Sequence, residues 1–137
     1  MRNRLGYSVN YTQKEEVLEM VSKDGYYLKE VSDEFLDDKE ILMMAVKQFG
    51  EMLMCGSDIL KDDKEVVLMA VMVNGCALQY ASERLKDDKD IVITAVENDN
   101  DAFEYASDRL KKDKHILSKI EVEDEFAILK ENFQKIF

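Results

Sequence analysis

Residues 62–86 read DDKEVVLMAVMVNGCALQYASERLK, and the same 25-residue pattern recurs on both sides of this stretch. Counted from Thr12, five segments fall into register without an insertion, namely 12–36, 37–61, 62–86, 87–111 and 112–136. We number them repeats one to five and count positions 1 to 25 within each. A fixed period of roughly 20 to 50 residues is typical of stacked structural units, none of which buries its apolar face alone. The sequence therefore predicts a stack of similar units.

The first half of each repeat has the periodicity of an amphipathic helix. In repeat three, apolar residues stand at positions 5, 6, 7, 9 and 10, and spacings of three and four give a helix a wide buried face. An acid or hydroxyl at position 1, followed by an acid at position 4, predicts the helix start. The pairs are Thr12 with Glu15, Asp37 with Glu40, Asp62 with Glu65 and Asp87 with Asp90.

Position 14 predicts where this helix stops. It holds Gly25, Gly50, Gly75 and Asn100 in the first four repeats. Both residue types tolerate the left-handed backbone that ends many helices. We therefore expect a left-handed residue at each of these positions.

A second helical stretch is predicted in each repeat, with apolar residues at positions 17, 20 and 24. In repeat three these residues are Leu78, Ala81 and Leu85. Small residues in both stretches are expected to face inward and bring two helix axes close together. They are Ala45, Ala70 and Ala95 in the first stretch, and Gly56, Ala81 and Ala106 in the second. Helices of about ten residues are only about 15 Å long and marginal alone, so adjacent repeats must supply the core.

The outer repeats are more polar than the middle ones. Repeat one has Glu16 at a position that is apolar in the middle repeats, and repeat five has Ser118, Lys119 and Glu121 at such positions. Polar substitutions are expected of terminal units that have one face in water. We therefore predict an all-α fold, a short αα-hairpin solenoid of five 25-residue repeats with polar capping repeats. It forms one domain over 1–137, a complete array with residues 1–11 as an N-terminal extension.

Composition limits the partners that the chain can have. Of 137 residues, 30 are acidic and 19 basic, giving a formal charge of −11, which opposes the approach of nucleic acid. No run of about 18 apolar residues exists, and residues 1–11 lack the apolar region of a signal peptide. Two cysteines suit a reducing compartment. We expect a soluble cytoplasmic monomer that contacts neither membrane nor nucleic acid directly.

The sequence offers few groups for catalysis. His115 is the only histidine and stands where other repeats have Glu or Asp, so we expect it on the surface. Cys55 and Cys76 occupy different repeat positions, which favours packing residues over a pair of metal ligands. No phosphate-binding loop and no nucleophile elbow occur. We expect no enzymatic activity and no cofactor.

For three polar features of the sequence we favour a structural role over a binding site. The acidic pairs 37–38, 62–63 and 87–88 could gather a divalent cation, but each is followed by lysine, which favours helix capping and a ladder of surface ion pairs. Residues 97–101 resemble a calcium loop but lack its glycine and its final acid. Position 21 holds Ser32, Ser57, Ser82 and Ser107, whose hydroxyls fit close helix packing with a bond to the carbonyl four residues earlier. We expect no metal site.

Methionine provides the candidate binding surface. Met44 and Met69 at position 8 and Met72 at position 11 stand in columns of mixed residues, and Met54 at position 18 stands where other repeats have Lys29, Gln79 and Glu104. Such positions face solvent, so the four side chains could form an exposed, adaptable partner-binding patch. Alternatively, the central repeats bury these positions better against their neighbours.

One family shares the order of these features. Residues 60–71 (LKDDKEVVLMAV) and 77–88 (ALQYASERLKDD) carry the acidic pair, the Ala-Val pair and the Tyr-Ala-Ser motif. The stretch 27–110 resembles the repeat family catalogued as domain of unknown function 4116. The resemblance implies a helical repeat without an established activity, and it brings no catalytic residues.

Two functions fit the sequence. The first is a non-enzymatic protein–protein interaction module, a helical-repeat adaptor that binds a protein or peptide through its solenoid surface. The second is an acidic inhibitor that mimics nucleic acid and blocks a basic groove of a partner enzyme, as the charge of −11 suggests. A third, an enzyme within a larger assembly, would need a pocket with converging polar groups, which short stacked helices do not indicate.

Overall fold

The structure, a computed structural model, describes residues 14–120, which contain helices and no strand. The α-helices are α1 (Lys14–Lys23), α2 (Lys39–Gln48), α3 (Asp58–Lys61), α4 (Lys64–Val73), α5 (Glu83–Lys86) and α6 (Lys89–Asn98). The 3-10 helices are Gly25–Glu30, Asp33–Phe35, Gly50–Cys55, Gly75–Tyr80, Asn100–Tyr105 and Leu110–Lys112. Residues 114–120 are also helical.

The repeats stack in two layers. The ten-residue helices α1, α2, α4 and α6 lie side by side and form the helical layer. The six-residue 3-10 helices pack on one another and against the helical layer, and we call them the 3-10 layer. This arrangement confirms the all-α repeat solenoid predicted from the sequence. The extension 1–11 and most of repeat five lie outside the described residues, so the five-repeat domain boundaries stay a prediction.

One continuous core runs between the layers. It takes positions 5, 6, 9 and 10 of α2, α4 and α6, positions 6, 9 and 10 of α1, and position 16 of each six-residue 3-10 helix. Position 17 is buried in repeats one to three, and Phe103 at this position of repeat four is partly buried against the core. In repeat three, Val66, Val67 and Leu78 have no exposed surface. Burial of about 25 cal/mol per Å² of apolar surface makes this core the main stabilising contribution to the array.

The second half of each repeat differs from the single helix that the sequence predicted. In repeat three, the 3-10 helix Gly75–Tyr80 ends at Ala81, where the backbone becomes extended, and the short α5 follows. Position 21 explains the break. The Ser82 amide donates to the carbonyl oxygen of Lys61 in the preceding repeat, and its hydroxyl accepts from the Leu85 amide at the start of α5. In a continuous helix the Ser82 amide would donate within its own helix, so it could not bond to Lys61.

The glycines at position 14 also differ from the prediction, because their backbone is not left-handed. The residue before each one is extended and ends the long helix, as at Asn74. A Cβ on Gly50 would lie 2.3 Å from the carbonyl oxygen of Ala70, and one on Gly75 would lie 2.3 Å from that of Ala95. Glycine is therefore required by the close approach of the next repeat, where the predicted inward-facing alanines lie.

The long helices begin one position later than predicted. Asp63, at position 2, is the N-cap of α4, and its carboxylate accepts from the amides of Glu65 and Val66 at 3.0 and 3.3 Å. Asp38 and Asp88 cap α2 and α6 in the same way. The acid at position 1 is instead bound by side chains at the end of the same repeat, as described below.

Candidate interaction surfaces

A ladder of ion pairs joins the starts of the long helices. Lys39 bridges Asp63 at 2.9 Å and Glu65 at 2.8 Å in the next repeat, and Lys14 and Lys64 make the equivalent pairs. The carboxylates of Glu65 and Asp63 raise the pKa of the Lys39 ammonium. The predicted ladder is therefore confirmed, and these acidic pairs are occupied by capping and by lysine.

A second ladder joins positions 21 and 23 to position 1 of the same repeat. Ser107 donates its hydroxyl to Asp87 at 2.6 Å, and Arg109 donates to the same carboxylate at 2.9 Å. Ser82 and Arg84 bind Asp62 in the same manner. The hydroxyls at these positions thus reach the first residue of their own repeat rather than the carbonyl four residues earlier.

The second ladder is incomplete at repeat two. Ser57 donates to Asp37 at 2.6 Å, but Ile59 occupies the position that is arginine in repeats three and four. Ile59 is 72% exposed, so it gains nothing from the core in place of the missing ion pair. Repeat two therefore lacks the arginine contact to its own position 1.

Side-chain amides form a third inter-repeat contact at position 12. The Asn98 amide donates to the carbonyl oxygen of Met72 at 3.0 Å and accepts from the amide of Gly75 at 2.7 Å. Gln48 makes the equivalent bridge to repeat one. Val73 stands at this position in repeat three and can do neither, so the interface between repeats two and three lacks the bridge.

The four predicted methionines do not form one surface. Met44 and Met69 are half-buried and pack against the core, as the alternative interpretation of the central repeats holds. Met72 is 59% exposed on the helical layer, whereas Met54 is 41% exposed on the 3-10 layer. The structure therefore keeps two of the four as exposed side chains and places them on different layers.

Sequence reasoning missed two exposed apolar residues, Ile59 and Val73. The available signal was the same one that selected the methionines, an apolar residue at a position that is charged or an amide in the other described repeats. Position 23 holds Glu34, Arg84 and Arg109 elsewhere, and position 12 holds Lys23, Gln48 and Asn98. The exposed apolar side chains of the described chain thus belong to repeats two and three.

Net negative charge is concentrated in the second halves of the repeats. Residues 24–34, 49–59, 74–84 and 99–109 together carry eleven acids against three bases, whereas the remaining described residues carry fourteen acids against twelve bases. In the first halves of the repeats, the lysines nearly balance the charge of the acids. The electrostatic field of the array therefore arises mainly from the second halves of the repeats.

The described residues contain few groups suited to catalysis. Burial raises the pKa of the Cys55 thiol, and burial together with the Asp99 carboxylate raises that of Cys76, so both thiols stay protonated. His115 is exposed, as predicted. Within residues 14–120 no group of three or more His, Cys, Asp or Glu side chains is placed to hold a metal ion.

No helix in the described part of the chain is both long enough and apolar enough to cross a membrane. A groove of about 320 Å³ lies between the second halves of repeats two and three. Its lining residues are Asp58, Lys61, Tyr80, Ala81, Ser82 and Glu83. The groove is open, and acidic, basic and apolar side chains line it together.

The repeated sequence of this chain matches the model of one known family. The model of the family described as domain of unknown function (DUF4116) matches residues 14–61, 42–86, 63–111 and 88–120, in overlapping windows that cover the described chain. The chain belongs to this family. Each of the first three windows spans two consecutive repeats, so the family unit includes the inter-repeat contacts described above. No curated protein and no solved structure gives a match.

Proposed function

We propose that this chain is a non-enzymatic interaction module that binds a protein or peptide partner through its solenoid surface. The observation that carries the proposal is the exposure of Met54, Ile59, Met72 and Val73, all in repeats two and three. Their counterparts in the other described repeats are charged or polar. Exposed apolar side chains that the core does not use contribute to binding when a partner buries them.

The test replaces these four side chains by polar residues without touching the core. The variant Met54→Gln, Ile59→Gln, Met72→Glu and Val73→Asn is compared with wild type in affinity capture from the source organism. We expect the wild type to retain partners that the variant loses, with unchanged circular dichroism. The matched control carries Lys47→Gln and Gln79→Ala, exposed polar residues of the same two repeats. Capture that is equal for all three proteins would contradict the proposal.

The alternative function, an acidic inhibitor that occupies a basic groove of an enzyme, is supported by the charge of the 3-10 layer. Eleven acids against three bases on one layer suit competition with a nucleic acid for a basic surface. Such a complex depends on long-range electrostatics. It should dissociate between about 0.1 and 0.5 M salt, where the Debye length falls from about 10 Å to about 4 Å. A complex that is stable at the higher salt would contradict this alternative and leave the adaptor function in place.

A further inference from the structure

The second half of repeat two is more apolar than the second halves of its neighbours. Positions 13, 18 and 23 hold Phe49, Met54 and Ile59 there, whereas repeats one, three and four have charged or amide side chains at all three positions. Phe49 packs on the Tyr26 ring, with the ring centroids 4.4 Å apart. Met54 and Ile59 stay exposed, so packing within the chain does not account for them.

The second halves of repeats one and two carry a net negative charge. Residues 24–34 and 49–59 carry six acids and a single lysine, Lys29, which lies over the Tyr26 ring at 5.3 Å. The groove described above begins at Asp58 and Lys61, in the same four-residue helix as Ile59. Apolar side chains, an adjoining groove and an excess of negative charge therefore coincide at repeat two.

We propose that this surface, formed by Met54, Ile59 and the adjoining groove, binds a lysine- or arginine-rich segment of a partner protein that also carries apolar side chains. The inference rests on the proposed function and adds the site and the chemistry of the partner. Burial of the partner's apolar side chains on Met54 and Ile59 supplies affinity, and the surrounding acids select cations and speed association. A second copy of this chain would bring like charge to the same place, which opposes self-association.

The direct test uses a synthetic peptide of ten residues, lysines with a leucine at every third position. A second peptide has serine in place of leucine, and both are titrated by calorimetry at about 150 mM salt. We expect the leucine peptide to bind wild type at least tenfold more tightly than the serine peptide. The variant Met54→Gln with Ile59→Gln should weaken the leucine peptide about tenfold, because two apolar contacts are lost without a change of charge.

Two further variants separate the sources of affinity. Met72→Glu changes the opposite layer and should leave the dissociation constant within about twofold of wild type. Asp33→Asn with Asp58→Asn, two exposed acids of repeats one and two, should weaken both peptides and reduce the dependence of binding on salt. All variants are first checked for an unchanged circular dichroism spectrum and urea midpoint.

Several results would overturn the inference. They are equal affinity for the two peptides, leucine-peptide binding that is insensitive to the two glutamine substitutions, or a dimer in sedimentation that these substitutions dissociate. The inference and the proposed function fail separately. If partner capture is lost with Met72→Glu and Val73→Asn but kept with Met54→Gln and Ile59→Gln, the inference is wrong while the interaction function stands.

Discussion

Of the first three interfaces between repeats, the one between repeats three and four has the amide bridge and the one between repeats two and three lacks it. Between repeats three and four, the glycine–alanine approach, the lysine ladder and the Asn98 bridge are all present. Val73 removes the amide from the interface between repeats two and three, and Ile59 removes from repeat two the arginine that binds position 1 in repeats three and four. The buried approach of a glycine to an alanine is common to all three interfaces, so it sets how the repeats stack. The exposed polar contacts differ from repeat to repeat, so the stack does not depend on any one of them.

The largest effect is expected where the stacking itself is blocked. Gly75→Ala places a Cβ 2.3 Å from the Ala95 carbonyl oxygen, a backbone atom that cannot move aside. We expect it to lower the free energy of unfolding by about 3 kcal/mol or more in urea denaturation. In Gly25→Ala the nearest atom, the Ala45 carbonyl oxygen, is 3.2 Å away, so a loss of only about 1 kcal/mol is expected. Equal losses at the two positions would show that close approach does not set the stacking.

Acid should weaken the second ladder in repeats three and four. Hydrogen bonds from Ser107 and Arg109 lower the pKa of the Asp87 carboxyl, and Ser82 and Arg84 do the same for Asp62. Unfolded aspartate titrates near about pH 3.9, so this stabilisation is complete above that pH and is lost as pH falls through the lower folded values. The urea midpoint should therefore fall between about pH 4 and pH 2.

The control for the pH experiment is Arg109→Gln with Ser107→Ala, which removes both donors to Asp87. This variant should lose less stability than wild type over the same pH range. A pH dependence that is identical in wild type and variant would contradict a role for the second ladder in acid sensitivity.

The amide bridge can be removed from one interface and introduced at another. Asn98→Val deletes the bonds to Met72 and Gly75 and should cost about 1 to 2 kcal/mol in urea denaturation. Val73→Asn places the amide at the same position of repeat three and should gain about 0.5 kcal/mol. If both substitutions shift stability in the same direction, the bridge is not the difference between these interfaces.

The smallest effect is expected from restoring the arginine. Ile59→Arg places a guanidinium at the position from which Arg84 and Arg109 bind the first residue of their own repeats, with Asp37 as its acceptor. Because the pair is exposed, Tm should rise by no more than about 2 °C at low salt, and the rise should disappear in about 1 M salt. Ile59→Gln serves as the uncharged control and should show no salt-dependent gain.

The repeat, the long helices and the lysine ladder could be predicted because each depends on the 25-residue period and on a helical spacing within it. The second halves could not. Apolar residues at positions 17, 20 and 24 fit an α-helix, and a spacing of three also fits the 3-10 geometry that Gly75–Tyr80 adopts. Position 21 decides between them through bonds that reach another repeat, such as that from Ser82 to the Lys61 carbonyl oxygen.

The candidate surface could be predicted only in part for a similar reason. A mixed column in the repeat alignment identifies Met72 and Met54 as exposed, but exposure at position 8 depends on how closely the neighbouring helices approach. Met44 and Met69 are therefore half-buried. The glycines show the same limit, because Gly50 is compatible with a left-handed turn and with close packing, and only the position of Ala70 distinguishes the two.

Because each kind of contact recurs at the same offset from one repeat to the next, the array can change length only in whole units. Duplicating 62–86 in frame would leave a lysine opposite an acidic pair, and a glycine opposite an alanine, at each new junction. Loss of one codon would shift every later partner out of place at once. Gene duplication can thus lengthen such a chain in steps of one unit, while small insertions are tolerated only where no partner follows.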